Sequence, residues 1–310
     1  MSHLSASAPG RCGILGNPSD IYGGKVLSAA VSARARCGLK KVEGDPLLPE
    51  DRRLWDAAVK RFPLPFPVSV EWQTDVPRSS GLSGSTALLA TTLACVLRLT
   101  DHEIDLSTPQ GRTLFAELLR DIERYDAHVV CGYQDAYMIT HGGIQLMDFH
   151  GKHPVEKGPP ATLRPIAAQL PFLLVTTGVE RLSGSVHGPL AQRWLDGEPA
   201  VRKAIDRIST FAEKGAEDLV AGRYGELAAA MDENQRLIAS IGGSGDAVDL
   251  LISKCKQHGA LAAKLAGAGM GGTVIALTED ADELEKRLRE DGYARFMRPN
   301  GQEGLRYEGL

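Results

Sequence analysis

Small and hydroxyl-bearing residues occupy a short stretch directly ahead of a long apolar segment. Residues 77–87 read PRSSGLSGSTA, and the apolar run TALLATTLACVLRLT begins at Thr86. Such a run predicts a buried helix, and glycines before it let backbone N–H groups close around an anion at the helix N-terminus. A simple cap at Ser85 or Thr86 needs fewer such residues. We interpret the stretch as a phosphate-binding loop. The pattern G-x-x-x-x-G-K-[ST] is absent from the sequence, which excludes the P-loop class.

Two carboxylates in the middle of the chain have the chemistry that phosphoryl transfer requires. Glu123 lies in a segment with helical spacing, and Asp135 follows twelve residues later in the sequence CGYQD. A glutamate can help to hold Mg²⁺, and an aspartate near a cation can deprotonate or orient an attacking hydroxyl. Taken singly, each carboxylate is more typical of a solvated surface, so their role depends on the rest of the site.

A second glycine-rich stretch places Gly267, Gly269 and Gly272 at the G-x-G-x-x-G spacing of dinucleotide sites. That motif requires a strand before the glycines and a helix after them. Here the preceding DLLISKCKQHGALAAKLAG has helical spacing and the following GTVIAL is typical of a strand. The predicted order is therefore reversed, which argues against dinucleotide binding and favours a helix C-cap and tight turn.

Composition limits the class of protein. The 310 residues contain 35 basic and 39 acidic side chains with no basic block, so we expect no nucleic-acid partner. Five scattered cysteines favour a reducing, cytoplasmic environment. The N-terminus does not resemble a signal peptide, and the apolar run at Thr86 is too short for a bilayer span, so we expect no membrane association. The pair His150 and His153 lies in a predicted loop, which does not favour a metal site.

The predicted elements mix strands and helices without regular βαβ alternation, which indicates an α+β fold with mixed sheets. Strands are predicted in RCGILG, GKVLSAAV, PVSVEWQTDVP, GGIQLMDF and QLPFLLVTTG, and helices in EDRRLWDAAVKRF and from Thr108-Pro109 onward. Several helices follow between Glu198 and Ala266. The stretch HGKHPVEKGPPATLRP predicts an interdomain linker, so we expect two domains, residues 1–160 and 161–310. The final residues, 295–310, either complete the C-terminal sheet or reach toward a substrate.

Three segments together resemble the GHMP kinases. PGRCGILGNPSDIYGG, PRSSGLSGSTA and KLAGAGMGGTVIAL are similar, in order and spacing, to the three motifs of that family. The resemblance implies a two-lobed α+β kinase with its active-site cleft between the lobes, using ATP and Mg²⁺. It also implies that the third motif closes beside the phosphates of ATP.

The resemblance also implies a role for each site residue. Asp135 would face the acceptor hydroxyl, Arg11 would neutralise charge near the transferred phosphoryl group and lower the pKa of Asp135, and Ser85 and Glu123 would hold Mg²⁺. ATP would contact Pro77, Ser79, Ser80, Gly81, Leu82, Ser83, Gly84, Ser85, Thr86, Gly267, Ala268 and Gly269. The acceptor would contact Asn17, Ser19, Asp20, Tyr22, Gln134 and Gly269.

Within the family the motifs look most like glucuronokinase-type sugar 1-kinases, which implies phosphorylation of the anomeric hydroxyl of glucuronate. Galactokinase-like chains carry Glu-His where this chain has Asn17-Pro18, and a neutral amide would relieve repulsion of a substrate carboxylate. Ser185 stands where that type is expected to carry lysine. Arg78, Arg181 and Arg193 are candidate partners for the carboxylate. The alternatives are a kinase for another hexose, a heptose or a mevalonate-type alcohol, and a non-catalytic metabolite-binding homologue.

Overall fold

Ten strands occur in the part of the chain that the structure describes, which is residues 4–77, 80–129, 131–179, 184–267 and 272–309 of a computed structural model. All of their pairings are antiparallel. The strands are β1 (Leu4–Leu15), β2 (Lys25–Lys41), β3 (Val68–Thr74), β4 (Ile144–Asp148), β5 (Thr162–Pro165), β6 (Phe172–Thr176), β7 (Ala262–Leu265), β8 (Thr273–Leu277), β9 (Phe296–Met297) and β10 (Arg306–Glu308).

The strands form two sheets. The first has the order β10-β1-β2-β4-β5, with β3 also paired to β2, and the second has the order β7-β8-β6-β9. The helices are α1 (Arg53–Arg61), α2 (Gly84–Leu99), α3 (Pro109–Asp121), α4 (Gln134–His141), α5 (Gly184–Leu195), α6 (Pro199–Val220), α7 (Tyr224–Ser240), α8 (Asp246–Gln257) and α9 (Ala281–Glu290). None of the described helices is long and apolar enough to cross a membrane.

Helix α2 lies at the centre of the first half of the chain. It is apolar on all sides, and eleven of its sixteen residues are buried, which is typical of a helix packed between other elements. It packs on β1 and β2 and is flanked by α1, α3 and α4. The predicted start of α3 is confirmed, since the Thr108 side chain accepts a hydrogen bond from the N–H of Gly111 and Pro109 occupies the first turn.

The prediction for the segment before the second glycine stretch was wrong. Helix α8 ends at Gln257, Gly259 adopts a left-handed φ of 94°, and residues 262–265 form the buried strand β7. A non-glycine residue seldom adopts such a φ, so the glycine ends the helix. The glycines therefore join two antiparallel strands, β7 and β8, and do not cap a helix.

The predicted linker packs against the first half of the chain. Lys152 is buried and its ammonium donates to the Glu117 carboxylate at 2.8 and 2.9 Å, while the Tyr133 hydroxyl donates to the carbonyl of Lys157. Residues 162–165 form β5 of the first sheet.

The C-terminal segment differs from both readings of it, because β9 joins the second sheet and β10 returns to the first. The first sheet thus contains β5 and β10, both of which follow residue 160. The domain boundary at residues 160/161 stays a prediction.

Candidate active site

The two glycine stretches pack directly against each other. A Cβ on Gly267 would lie 2.7 Å from the carbonyl oxygen of Gly81, and a Cβ on Gly272 would lie 2.4 Å from that of Ser80. Glycine is therefore required at both positions for the backbones to approach. The strand after the loop ends at Leu277 and the next helix begins at Ala281, so no helix N-terminus faces this loop from its own side. The geometry differs from that of a dinucleotide-binding turn.

The first glycine stretch ends at the N-terminus of α2. Ser83 occupies the cap position with a left-handed φ of 63° and makes no side-chain cap hydrogen bond, which differs from a cap at Ser85 or Thr86. Its buried hydroxyl has no partner among the described residues. The first turn contains no acidic side chain. Free backbone N–H groups, the helix dipole and an unpaired hydroxyl together favour an anion at this point.

The other residues predicted to contact ATP line the same loop or lie outside the described residues. Ser80 donates its hydroxyl to the carbonyl of Pro77 at 2.7 Å. Leu82 is fully buried, and its carbonyl accepts the N–H of Arg11. The described chain does not include Ser79, Ala268 or Gly269.

Arg11 connects Asp135 with both glycine stretches. Its Nε and Nη2 lie 2.7 and 2.6 Å from Asp135 Oδ1, and its Nη1 donates to the carbonyl of Gly81 at 2.6 Å and, more weakly, to that of Ala266 at 3.4 Å. The Arg11 side chain is 5% exposed and that of Asp135 is 24% exposed. Both guanidinium contacts reach one oxygen, so Asp135 Oδ2 has no protein partner within the described ranges. A partly exposed carboxylate oxygen is thus held beside the phosphate loop.

Glu123 lies in a π-helical turn, residues 122–126, which continues α3. Its Oε1 accepts the hydroxyl of Thr86 at 2.8 Å, and its Oε2 is buried without a partner among the described residues. Burial and, second, the charge of Asp135 raise the pKa of Glu123 to about 7. Ser85, beside Thr86 at the start of α2, is exposed. An unpaired carboxylate oxygen and a hydroxyl near a phosphate site suit a hard cation such as Mg²⁺.

Asn17 differs from its predicted role as a substrate contact. It is 2% exposed, its Nδ2 donates to the carbonyl of Gly267 at 2.8 Å, and its Oδ1 accepts from Lys264 Nζ at 2.8 Å. Lys264 is fully buried, which lowers its pKa to about 7. Ser19 is also buried, and its hydroxyl donates to the carbonyl of Lys25. Both side chains serve contacts within the protein.

Sequence reasoning missed Lys264, although a lysine inside the apolar run LAAKLAG is a signal for a buried cation. A lysine is almost never fully buried unless it has a polar partner. Here the partner is an uncharged amide on a different element, and the sequence contains no mark of that pairing.

Asp20, Tyr22 and Gln134 surround the side of Asp135 that is away from the glycine stretches. Asp20 is 3% exposed, and its Oδ2 accepts the N–H groups of Tyr133 and Gln134 at 2.7 and 3.0 Å. The Tyr22 ring packs on Trp194 with 5.3 Å between centroids. The Gln134 side-chain amide forms no hydrogen bond to the described residues, although the residue is only 4% exposed.

The structure limits the predicted carboxylate partners. Arg193 forms two hydrogen bonds of 2.7 Å to the Glu198 carboxylate and a third to the carbonyl of Ile241. Its guanidinium is therefore already paired. Arg78 and Arg181 lie outside the described residues. His153 packs edge-on against Trp194, and the described residues contain no cluster of three His, Cys, Asp or Glu side chains suited to a metal.

Comparisons with known proteins agree with this geometry. Residues 52–143 match the family model described as GHMP kinases N terminal domain, and residues 216–294 match that described as GHMP kinases C terminal. Together the two matches cover more than half of the chain.

Two curated relatives and a solved structure extend the match. D-glycero-alpha-D-manno-heptose 7-phosphate kinase of Campylobacter jejuni is 27% identical over 94% of this chain and 95% of its own length. Glucuronokinase 1 of Arabidopsis thaliana is also 27% identical, but over 73% of this chain and 62% of its own length. The crystal structure of Lactococcus lactis galactokinase complexed with galactose has a TM-score of 0.76 at 18% identity, covering 98% of this chain and 95% of that one.

The structural match shows the two-lobed fold, and the family matches show the enzyme class. GHMP kinases use ATP as the phosphate donor and transfer its phosphoryl group to alcohol groups of sugars or mevalonate. On its sequence, its fold and its two family domains, this chain belongs to the GHMP kinase family of phosphotransferases.

Proposed function

We propose that this protein transfers the γ-phosphoryl group of ATP to a sugar hydroxyl held beside Asp135. The observation that carries the proposal is the position of Arg11, whose guanidinium contacts Asp135 and the carbonyls of Gly81 and Ala266. A cation at that point neutralises negative charge on a transferred phosphoryl group. The same contact leaves one oxygen of Asp135 to orient the acceptor hydroxyl or to accept its proton.

The N-terminus of α2 is proposed to hold the phosphates of ATP. Its free N–H groups and the Ser83 hydroxyl supply donors, and Gly81 and Gly267 keep the two glycine stretches close enough to enclose the phosphates from both sides. Because the donors are fixed by backbone contacts, they need little reorganisation as charge develops. Residues 79, 268 and 269 are proposed to complete the enclosure.

Glu123 and Ser85 are proposed to hold Mg²⁺. When bound, the ion neutralises phosphate charge and aligns the β- and γ-phosphates. The buried Oε2 of Glu123 and the hydroxyl of Thr86 on its Oε1 show that the carboxylate is already oriented.

The acceptor proposed is a sugar, and specifically the anomeric hydroxyl of glucuronate. The similarity to glucuronokinase supports this choice, whereas the longer match to a heptose kinase supports a heptose. The Asn17-Pro18 argument no longer favours glucuronate, because the Asn17 amide is bonded to Gly267 and Lys264. Tyr22 and Gln134 are proposed to contact the acceptor. A mevalonate-type alcohol and a non-catalytic homologue remain the alternatives.

The test is ADP release with MgATP and a panel of glucuronate, galacturonate, galactose, glucose, mannose, a heptose and mevalonate. We expect turnover with glucuronate, and an Asp135→Asn variant should lose about 10²-fold or more in kcat while its ATP affinity stays unchanged. Asp282→Asn is the matched control, since the Asp282 side chain is 94% exposed and paired with Arg298 on the surface.

Each result separates two hypotheses. Turnover with a heptose or mevalonate alone would keep the kinase and replace the acceptor. Unchanged turnover in Asp135→Asn would contradict its proposed role, and ATP binding without turnover on any acceptor would favour the non-catalytic homologue.

The cellular setting and the domain division are also proposals. The five cysteines are buried and unpaired, which supports a reducing compartment such as the cytoplasm. The division at residues 160/161 is supported by the start of the second sheet at Phe172. Both β5 and β10 cross that division to join the first sheet.

A further inference from the structure

We infer that Asp20 is a positioning residue that holds the helix carrying Asp135, an inference that rests on the proposed function. Asp20 lies in the short helical turn of residues 19–22, between β1 and β2, whereas Asp135 lies in the first turn of α4. The two side chains meet at the start of α4, where the Asp20 carboxylate accepts the N–H groups of Tyr133 and Gln134.

Helix α4 has no N-terminal cap of its own. Its cap position is Tyr133, whose side chain makes no cap hydrogen bond, and the helix is only eight residues long. The first N–H groups of a helix have no partner inside it, and a short helix has little stability alone. Asp20 supplies the missing acceptor from 113 residues away. Its negative charge also suits the positive end of the helix dipole.

Gly132 supports this reading, because the contact leaves no space for a side chain there. A Cβ on Gly132 would lie 2.1 Å from Asp20 Oδ2. The backbone before α4 thus approaches the carboxylate more closely than any other residue type would allow. The glycine in CGYQD is explained by the capping contact and by no turn, since Gly132 has no left-handed φ.

The contact fixes Asp135 from one side while Arg11 fixes it from the other. Arg11 holds the carboxylate of Asp135 at 2.6 to 2.7 Å, and Asp20 holds the backbone one residue before it. Loss of the cap would let the first turn of α4 shift or fray. A displacement of about 1 Å at a reacting group can reduce the rate about 10²-fold.

The segment that contains Asp20 is anchored at several points, which makes it a rigid support. The side chain of Ser19 is fully buried and donates to the carbonyl of Lys25, and Asn17 donates to the carbonyl of Gly267. The same segment therefore touches the second glycine stretch at one end and α4 at the other. We infer that it sets the distance between the phosphates and Asp135.

The experiment compares Asp20→Ala, Asp20→Asn and Gly132→Ala in the full chain. Steady-state kinetics use ATP and whichever acceptor the wild type phosphorylates, and hydrogen–deuterium exchange of residues 131–141 is followed without ligands. We expect Asp20→Ala and Gly132→Ala to lose about 10²-fold in kcat with little change in acceptor KM, and to exchange faster at the start of α4. Asp20→Asn keeps an acceptor oxygen and should stay within about tenfold of the wild-type kcat.

Asp280→Ala is the matched control. Asp280 caps α9 by accepting the N–H of Glu283, so its loss should speed exchange in α9 and leave kcat unchanged. If both Asp20 variants raise acceptor KM equally and leave exchange of α4 unaltered, Asp20 contacts the substrate and the positioning role is wrong. A wild type with no turnover on any acceptor overturns the proposed function, whereas the exchange measurement still tests the cap.

Discussion

At the scale of single residues, the environment changes side chains that look ordinary in the sequence. Glu123 and Lys264 are both fully buried, and burial moves the pKa of each toward 7, upward for the carboxyl and downward for the ammonium. Neither has an oppositely charged hydrogen-bond partner among the described residues. Charged groups held this way are typical of functional sites.

Lys264 predicts a specific pH dependence of stability. Its pKa of about 7 in the folded protein is below its ordinary value of 10.5, so the unfolded chain binds more protons between pH 7 and 10.5. The free energy of unfolding should therefore rise over this range, by about 1.4 kcal/mol per pH unit at most. Chemical denaturation at pH 7, 8 and 9 measures the rise.

A Lys264→Met variant should lose that rise. The control is Lys256→Met, because Lys256 lies on the surface beside Asp232 and its loss should leave the pH dependence of the wild type. A wild-type stability that is flat from pH 7 to 9 would show that Lys264 is not a buried, titrating ammonium.

At the scale of elements, the active site is a contact between two loops that belong to different sheets. The stretch before α2 and the stretch between β7 and β8 approach through glycines, and β1 joins them through the N–H groups of Arg11 and Gly13, which donate to the carbonyls of Leu82 and Ala266. Because these contacts involve the backbone, the loops have little freedom to separate. The approach predicts that added volume at either glycine is costly.

A Gly267→Ala variant tests this contact. Its Cβ would lie 2.7 Å from the carbonyl oxygen of Gly81, so the loops must move apart. We expect a loss of about 1–3 kcal/mol in the free energy of unfolding and weaker ATP binding. The measurements are urea denaturation and calorimetric titration with ATP.

Gly225→Ala is the matched control for Gly267→Ala. A Cβ on Gly225 has no atom within 4 Å, and the residue lies in the first turn of α7. Alanine there should be neutral or slightly stabilising. Unchanged ATP affinity in Gly267→Ala would argue that the two glycine stretches do not enclose the phosphates together.

At the scale of the whole molecule, the C-terminal segment ties the end of the chain to its beginning. Strand β10 pairs with β1, and the buried Arg34 donates to the carbonyls of Glu303 and Gly304 at 2.7 and 3.0 Å. Arg112 also donates to the carbonyl of Leu305. Two buried guanidinium groups therefore depend on acceptors from the last eight residues.

Removal of residues 303–310 should destabilise the first sheet. Arg34 and Arg112 would each lose acceptors while staying largely buried, and β1 would become an edge strand. We expect a loss of about 3 kcal/mol or more in the free energy of unfolding, since breaking a buried charged contact from one side has that cost. Removal of residues 309–310 alone keeps β10 and is the control. Equal stability of the two truncated chains would contradict this role.

Local signals were sufficient for much of the fold. Alternating and helical spacing predicted β1, β2, β3, β4, β6, α1, α2 and α3, because each of these elements buries one face or lies wholly in the core. The three motifs identified the family and the enzyme class. They also brought Arg11 and Asp135 together in one hypothesis, although 124 residues separate them.

Long-range packing set the rest. AAKL is strand β7 because it pairs with β8 inside the second sheet, which outweighs the helical spacing of a run that Gly259 interrupts. Asn17 and Asp20 are assigned to internal contacts because Lys264, Gly267 and the start of α4 surround them. Such contacts join residues more than a hundred positions apart, so no local pattern encodes them. The chemistry of a side chain is readable from its type, whereas its partner is determined by the fold.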